Sequence, residues 1–146
     1  MPKIVCSSCR QPYPEQGIPF RCPDCGGVFD FNTPPDYNPA LVNEKLPGLW
    51  RYQSSFDLPA VAPMVTLGEG RTPLIWQKVD GVEVFLKLES LNPTGSYKDR
   101  GTAVLISQLL ARGATQAVED SSGNAGASFA AYAAQAGLPA RVFVPE

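Results

Sequence analysis

The chain contains no histidine among its 146 residues. That absence removes histidine-dependent catalytic triads, most catalytic zinc sites and the commonest general base. Any acid–base chemistry must therefore fall to Lys, Asp, Glu, Tyr or Cys. An excess of one charge is lacking too: 12 basic and 14 acidic residues leave a net charge of −2. Bulk charge therefore gives no footprint for nucleic acid or for an anionic membrane surface. Long apolar runs are missing, and the stretch Met1 to Cys6 has no apolar core of a signal peptide. These absences point to a soluble cytoplasmic protein with no nucleic-acid and no membrane partner. The length suits one domain with an appendage and is short for a two-domain enzyme.

Cysteine is scarce and wholly confined to the first segment. Cys6-Ser7-Ser8-Cys9 and Cys22-Pro23-Asp24-Cys25 form two C-x-x-C pairs about a dozen residues apart, the second followed by Gly26 and Gly27. Each pair can grip one ion from a tight turn, and four thiolates complete a closed tetrahedral shell suited to structural zinc. Two disulfides or four free thiols are the alternatives, and a cytoplasmic setting disfavours the disulfides. Lys3-Ile4-Val5 and Ile18-Pro19-Phe20-Arg21 are the expected strands of a small zinc-ribbon-like module over residues 1–30.

From Phe31 to Pro63 proline is dense (Pro34, Pro35, Pro39, Pro47, Pro59, Pro63), which argues against long regular elements. Trp50, Tyr52 and Phe56 are too apolar for a solvated tether, so the segment either lies across a larger body or forms a short amphipathic helix with its own small core. Gly68 and Gly70 predict a turn of structural role between Val65 and Ile75. Asp80-Gly81 predicts a hairpin joining Leu74–Val79 to Val82–Leu88. Beyond it the pattern predicts a helix over Tyr97–Arg112 with Gly113 as its C-cap, a strand over Gln116–Glu119, a helix over Asn124–Ala136 closed by Gly137, and a strand over Ala140–Val144. Gly101 and Ala103 are expected to let the first helix pack closely on a sheet. A strand, helix, strand unit of the right-handed parallel kind follows, so the fold class is α/β.

Two stretches carry chemistry. In Leu91-Asn92-Pro93-Thr94-Gly95-Ser96-Tyr97-Lys98-Asp99-Arg100-Gly101, a turn runs into a helix start, with Ser96 and Asp99 spaced as a capping-box variant. Lys98 falls in the first helical turn, beside unpaired N–H groups and the positive end of the helix dipole. That location favours a neutral amine, the form that condenses with an aldehyde when burial adds to the effect. The same local pattern also fits a solvated lysine on a helix that happens to begin there. In Asp120-Ser121-Ser122-Gly123-Asn124-Ala125-Gly126, hydroxyls, a close-approach glycine and a helix start lie at the carboxyl end of a strand, where ligands of open α/β sheets gather. Plain helix capping by Ser and Asn is the alternative there.

The two stretches in this order, with Leu67-Gly68-Glu69-Gly70-Arg71-Thr72-Pro73-Leu74 and the cysteine segment before them, give the chain a resemblance to the fold-type II pyridoxal-phosphate enzymes. This is the tryptophan synthase β family, and the threonine synthase branch is the most similar. The resemblance covers nearly the whole chain. It implies that Lys98 binds pyridoxal 5'-phosphate as a Schiff base and then shuttles protons, that Asn124 hydrogen-bonds the cofactor's phenolic oxygen, and that Ser121, Ser122 and Gly123 hold the substrate carboxylate. The implied partner is a small-molecule amino-acid substrate, O-phosphohomoserine in that branch, and the full-length enzyme is expected to be a homodimer. Tyr97 departs from the phenylalanine usual before the lysine. The family's glycine-rich phosphate loop comes later than Pro145-Glu146. The expectation is therefore an N-terminal fragment, inactive alone: residues 1–30 the cysteine module, 31–90 part of the large domain, and 91–146 the first half of a parallel αβα domain. Sibling lyases (cysteate synthase, threonine dehydratase, cysteine synthase) or a non-catalytic zinc-ribbon interaction module are the competing readings.

Overall fold

The computed structural model describes residues 3–34 and 37–145, so Met1, Pro2, Pro35 and Glu146 of the sequence reading lie outside the described residues. Among the described residues, three two-stranded sheets and two α-helices are joined in part by short 3-10 stretches: β1 (Ile4–Cys6), β2 (Phe29–Phe31), β3 (Leu74–Val79), β4 (Val82–Lys87), α1 (Lys98–Ala111), β5 (Ala117–Asp120), α2 (Asn124–Gln135) and β6 (Ala140–Phe143). The mixed α/β class is as expected. No helix among the described residues is long and apolar enough to cross a membrane.

β1 pairs antiparallel with β2, with Val5 opposite Asp30. The expected second ribbon strand, Ile18–Arg21, is a loop. Pro19 has no N–H to give to a ladder, whereas Phe29-Asp30-Phe31 has every donor in place. The hairpin forms where Asp80-Gly81 predicts it, in full register from Leu74↔Lys87 to Val79↔Val82. Both turn residues have positive φ, 49° and 83°, which matches the twist of the flanking strands. β5 and β6 pair parallel, and α2 packs on both.

The proline-dense stretch lies across the body of the protein. A 3-10 stretch, Gly48–Ser55, carries Leu49 and Trp50 into the core, where they meet Val65, Ala103 and Ile106 of α1, Phe129, Tyr132 and Ala133 of α2, and Leu138. The buried Trp50 indole donates to the Val65 carbonyl at 3.2 Å, so its one polar atom is satisfied. Gly48 and Gly70 are obligatory at this crossing. A Cβ on Gly48 would lie 1.9 Å from the Glu69 carbonyl oxygen, and one on Gly70 would lie 2.6 Å from the Leu49 nitrogen.

α1 packs on α2 rather than on a sheet. Ala103 is buried in that contact, but Gly101 is exposed and a Cβ there would meet nothing. The cause is the phase of the helix: Ala103, Ile106 and Ser107 form the inward stripe, and Gly101 and Leu105 fall outside it. At its C-terminus, Gly113 takes φ +79° and the Ala114 N–H reaches back to the Leu109 carbonyl at 3.0 Å, a Schellman ending. Arg112 at this end donates to the Pro14 and Gly17 carbonyls at 2.9 and 3.2 Å. Its guanidinium also lies 4.6 Å from the centre of the Tyr13 ring. The loop between the two cysteine pairs is thereby fastened to α1.

Trp50→Ala is expected to cost about 3–5 kcal/mol through lost burial and a residual cavity, read as a lower urea midpoint. Arg112→Ala is expected to raise amide hydrogen exchange in residues 13–19 and in the last turn of α1 while leaving α2 unchanged.

Candidate active site and cysteine cluster

Lys98 is the first residue of α1. Before it, Asn92 to Gly95 make a turn closed by Gly95 N–H donating to the Asn92 carbonyl at 2.8 Å, with Gly95 at φ +83°. Ser96 is buried and accepts the Lys98 N–H at 3.3 Å. Asp99 does not reach back to Ser96, so the expected reciprocal capping box is absent. The fully buried Asp99 carboxylate turns instead to Thr94, accepting its backbone N–H at 2.7 Å and its hydroxyl. The tight turn presents both Thr94 donors to that carboxylate, and a buried carboxylate requires such partners. The Lys98 side chain is half-buried; its ammonium lies 5.2 Å from the centre of the exposed Tyr97 ring and joins no ion pair among the described residues.

Two residues further on, Arg100 grips Glu89 in bidentate fashion, Nε to Oε2 at 2.7 Å and a terminal nitrogen to Oε1 at 2.8 Å. The Thr72 hydroxyl donates to the same carboxylate at 2.9 Å, and the Asn92 amide donates to it at 2.9 Å. Asn92 Oδ1 in turn accepts the Gly70 N–H at 3.0 Å. The hydrogen bond from Arg100, with the bonds from Asn92 and Thr72, holds the Glu89 carboxyl down at about 2 against burial. Because the folded value is depressed, the stabilisation is present above the usual carboxylate pKa and is lost only as pH falls toward about 2. Apart from Asn92, three residues from Glu89, these partners are 11 to 28 residues apart in sequence and carry no local sign of their association.

At the second stretch, α2 begins at Asn124, with Ser121, Ser122 and Gly123 between it and the end of β5 at Asp120. The Ser121 hydroxyl accepts the N–H of Gly126 at 2.8 Å and of Gly123 at 3.3 Å, so it shapes the loop from within. A Cβ on Gly126 would lie 2.8 Å from Val142 and 3.1 Å from Ser121, which is why glycine sits there. Ser122, Gly123 and Asn124 are exposed, and the N–H groups of Asn124 and Ala125 make no hydrogen bond among the described residues. Lys98 makes no direct hydrogen bond to this loop; what joins them is the shared core of α1 and α2.

The four cysteines do converge. All four sulfurs lie within 4.8 Å of one another. Cys6–Cys25 and Cys9–Cys22 are 3.5 and 3.6 Å apart, too far for disulfides and close to the about 3.8 Å edge of a tetrahedral zinc–thiolate shell. The two turns are alike: Arg10 N–H donates to the Cys6 carbonyl at 3.0 Å, and Gly26 N–H donates to that of Cys22 at 2.8 Å. Arg10 and Gly26 then take φ +66° and +73°. Gly27 is essential to the closure, since a Cβ there would lie 2.8 Å from the Cys6 sulfur. The Cys9 N–H pulls the Cys6 thiol down to about 6. Although the Gln11 N–H favours the Cys9 thiolate, contact with Cys25, burial, and contact with Cys22 and Cys6 push that thiol up to about 12. One thiolate thus suppresses its neighbours, and a dication is the charge that would let all four ionise.

A family model described as pyridoxal-phosphate dependent enzyme matches residues 65–146. Threonine synthase of Methanosarcina acetivorans is 34% identical over 97% of this chain and 36% of its own length. That of Methanocaldococcus jannaschii is 34% identical over 97% of the chain and 37% of its length. That of Mycobacterium leprae is 48% identical over 56% of the chain and 24% of its length. The chain thus spans between 24% and 37% of these relatives. With the lysine turn, the α2 start and the strand between them all inside the matched region, the chain belongs to the family of pyridoxal-phosphate dependent enzymes.

Proposed function

We propose that this chain supplies the lysine-bearing part of a threonine synthase, a pyridoxal-phosphate lyase that converts O-phosphohomoserine and water to threonine and phosphate. The observation that carries the reading is Lys98: a half-buried primary amine at a helix start, without an ion-pair partner among the described residues, in a chain similar to threonine synthases over 97% of its length. A primary amine of this kind fits an aldehyde, and the open N–H groups at the start of α2 fit an anionic group. When bound, pyridoxal phosphate supplies an electron sink for charge developing at the substrate's α-carbon.

Each residue then has a part. Lys98 Nζ would hold the cofactor and, when free, take and return a proton, work for which the chain has no histidine. The Asn124 amide would donate to the cofactor's phenolic oxygen. The Ser122 hydroxyl and the N–H groups beside Gly123 hold the substrate carboxylate, while Ser121 acts mainly by fixing the loop that presents them. We assign residues 1–30 to a zinc-ribbon-like module with a structural Zn ion on Cys6, Cys9, Cys22 and Cys25, a reading supported by the sulfur spacing and the closed four-ligand set. Residues 31–90 belong with the large domain and 91–146 with the first half of the αβα domain.

In a full-length enzyme carrying this segment, Lys98→Ala is expected to abolish visible absorbance with pyridoxal phosphate and to lower phosphate release from O-phosphohomoserine by at least about 100-fold, the scale of a lost acid–base group. Retained turnover would show that the lysine has another role. For the metal, elemental analysis is expected to find one zinc per chain and chelation to lower the melting temperature. Cys22→Ser should abolish binding, and Gly27→Ala should weaken it by crowding Cys6. Four thiols freely titrated in the purified protein, with no zinc, would overturn the assignment.

A further inference from the structure

We infer that the Glu89–Arg100 pair is a positioning device for Lys98: it fixes the rotation of the first turn of α1 and so the direction of the reactive amine. The inference rests on the reading of Lys98 as the cofactor-binding lysine.

A helix start is its weakest part, because its first N–H groups have no intrahelical partner. Here Tyr97 makes no capping side-chain hydrogen bond, and the turn bearing Lys98 has a single, long cap, the Ser96 hydroxyl accepting the Lys98 N–H at 3.3 Å. Its other holds come from two side chains of the turn itself, bonded to groups outside the helix. Asp99 bonds Thr94, and Arg100 bonds Glu89. Successive helical residues point about 100° apart, so these two anchors act in different directions. One alone would leave the turn free to swivel, and both together set the azimuth of the residue before them.

Glu89 is itself immobilised. Thr72 and Asn92 donate to its two oxygens, Arg100 also reaches the Thr72 hydroxyl at 3.1 Å, and the Lys87 ammonium donates to the Thr72 carbonyl. Gly70 closes the set through Asn92. The anchor therefore connects the first turn of α1 to the 70–72 segment and to the 87–92 turn, not to a flexible surface acid. The pair is only partly exposed, 31% for Arg100 and 26% for Glu89, and its bidentate geometry exploits the planar fork that lysine lacks. The rest of α1 has separate attachments: Ala103 and Ile106 in the core, and the Ser107 hydroxyl accepting the Val65 N–H at 3.1 Å. Loss of Arg100 should therefore loosen the first turn and spare the body of the helix.

The test traps lysines in the intact protein with pyridoxal phosphate and borohydride at a series of pH values, and quantifies each site by peptide mass spectrometry. Lys3, Lys45, Lys78 and Lys87 serve as internal references. Wild type should trap Lys98 far above the other four. Arg100→Ala should lower Lys98 trapping at least tenfold and alter its pH profile without changing Lys3, Lys45 or Lys78; Arg100→Lys and Glu89→Gln should recover part of the loss. Hydrogen exchange should rise at residues 98–101 and stay constant at 103–110. If Arg100→Ala does not fold, the two milder variants carry the same comparison. Lys98 trapping that is unchanged in these variants overturns the anchor alone. A wild type that traps Lys98 no better than the reference lysines overturns the cofactor reading, and the anchor's purpose with it.

Discussion

The buried carboxylate of Glu69 is the constraint on which the arrangement of the central segments depends. It is fully buried, and one oxygen, Oε2, accepts the Tyr132 hydroxyl at 2.8 Å, the Leu67 N–H at 3.0 Å and the Thr66 hydroxyl at 3.1 Å. Its backbone carbonyl accepts the Leu49 N–H at 3.1 Å. A carboxylate taken out of water costs several kcal/mol unless donors replace the lost hydration. Those donors come from Thr66, Leu67 and the middle of α2, while the 48–49 crossing is tied to the Glu69 backbone carbonyl, so none of these segments can shift without breaking a bond to Glu69. Burial, followed by the bond to Glu69, pushes the Tyr132 phenol well above its ordinary value, which keeps it a donor at every physiological pH. Gly48 and Gly70 exist at this crossing because the backbones approach too closely for a side chain.

The local devices of the fold were legible in the sequence. Asp80-Gly81 specified a hairpin whose register the structure reproduces, Gly113 and Gly137 marked the helix ends, and the C-x-x-C pairs marked a four-sulfur cluster. All of these depend on residues within a few positions of one another. The misread features depend on partners far away. Phe29–Phe31 displaced Ile18–Arg21 as the second ribbon strand because strand pairing is decided between segments, and Pro19 weighed against the nearer choice. Asp99 chose Thr94 over Ser96 because the turn at Pro93 folds Thr94 back over the helix start. Glu69, Glu89 and Arg100 showed no sign of their networks, since a charged residue near a motif looks the same whether it is solvated or paired. The candidate-site residues divide in the same way: Lys98 and Asn124 stand at helix starts that the sequence pattern marked, whereas the contacts of Asp99 and Arg100 around the first turn of α1 were visible only in three dimensions.

Exposure adds a second constraint. Parallel strands are ordinarily covered on both faces, yet β5 and β6 have α2 against them while Val118 and Phe143 remain 67% and 59% exposed. β3 and β4 likewise leave Trp76 and Phe85, paired across the hairpin, in solvent. The core centred on Trp50, Ile106 and Tyr132 is therefore complete around the two helices and incomplete around the sheets. Its completeness is greatest next to α1, where the proposed chemistry sits.

That distribution makes α1 the element through which the separate parts of the chain act on one another. An α-helix of 14 residues is about 21 Å long. Its N-terminal turn is held by Asp99 and Arg100, its middle by Ala103, Ile106 and Ser107, and its C-terminal end by Arg112 on the loop of the cysteine module. An amphipathic stripe alone fixes which face of a helix is buried but leaves it free to slide or roll by a fraction of a turn. Hydrogen bonds at both ends, to three different segments, remove that freedom. The chemistry proposed for Lys98, attack on an aldehyde carbon, needs an amine placed to within a fraction of an ångström. The Ser96 hydroxyl alone caps the first turn, at 3.3 Å, and the Glu89–Arg100 ion pair and the Arg112 carbonyl contacts add at the two ends a fixity that one local cap does not supply.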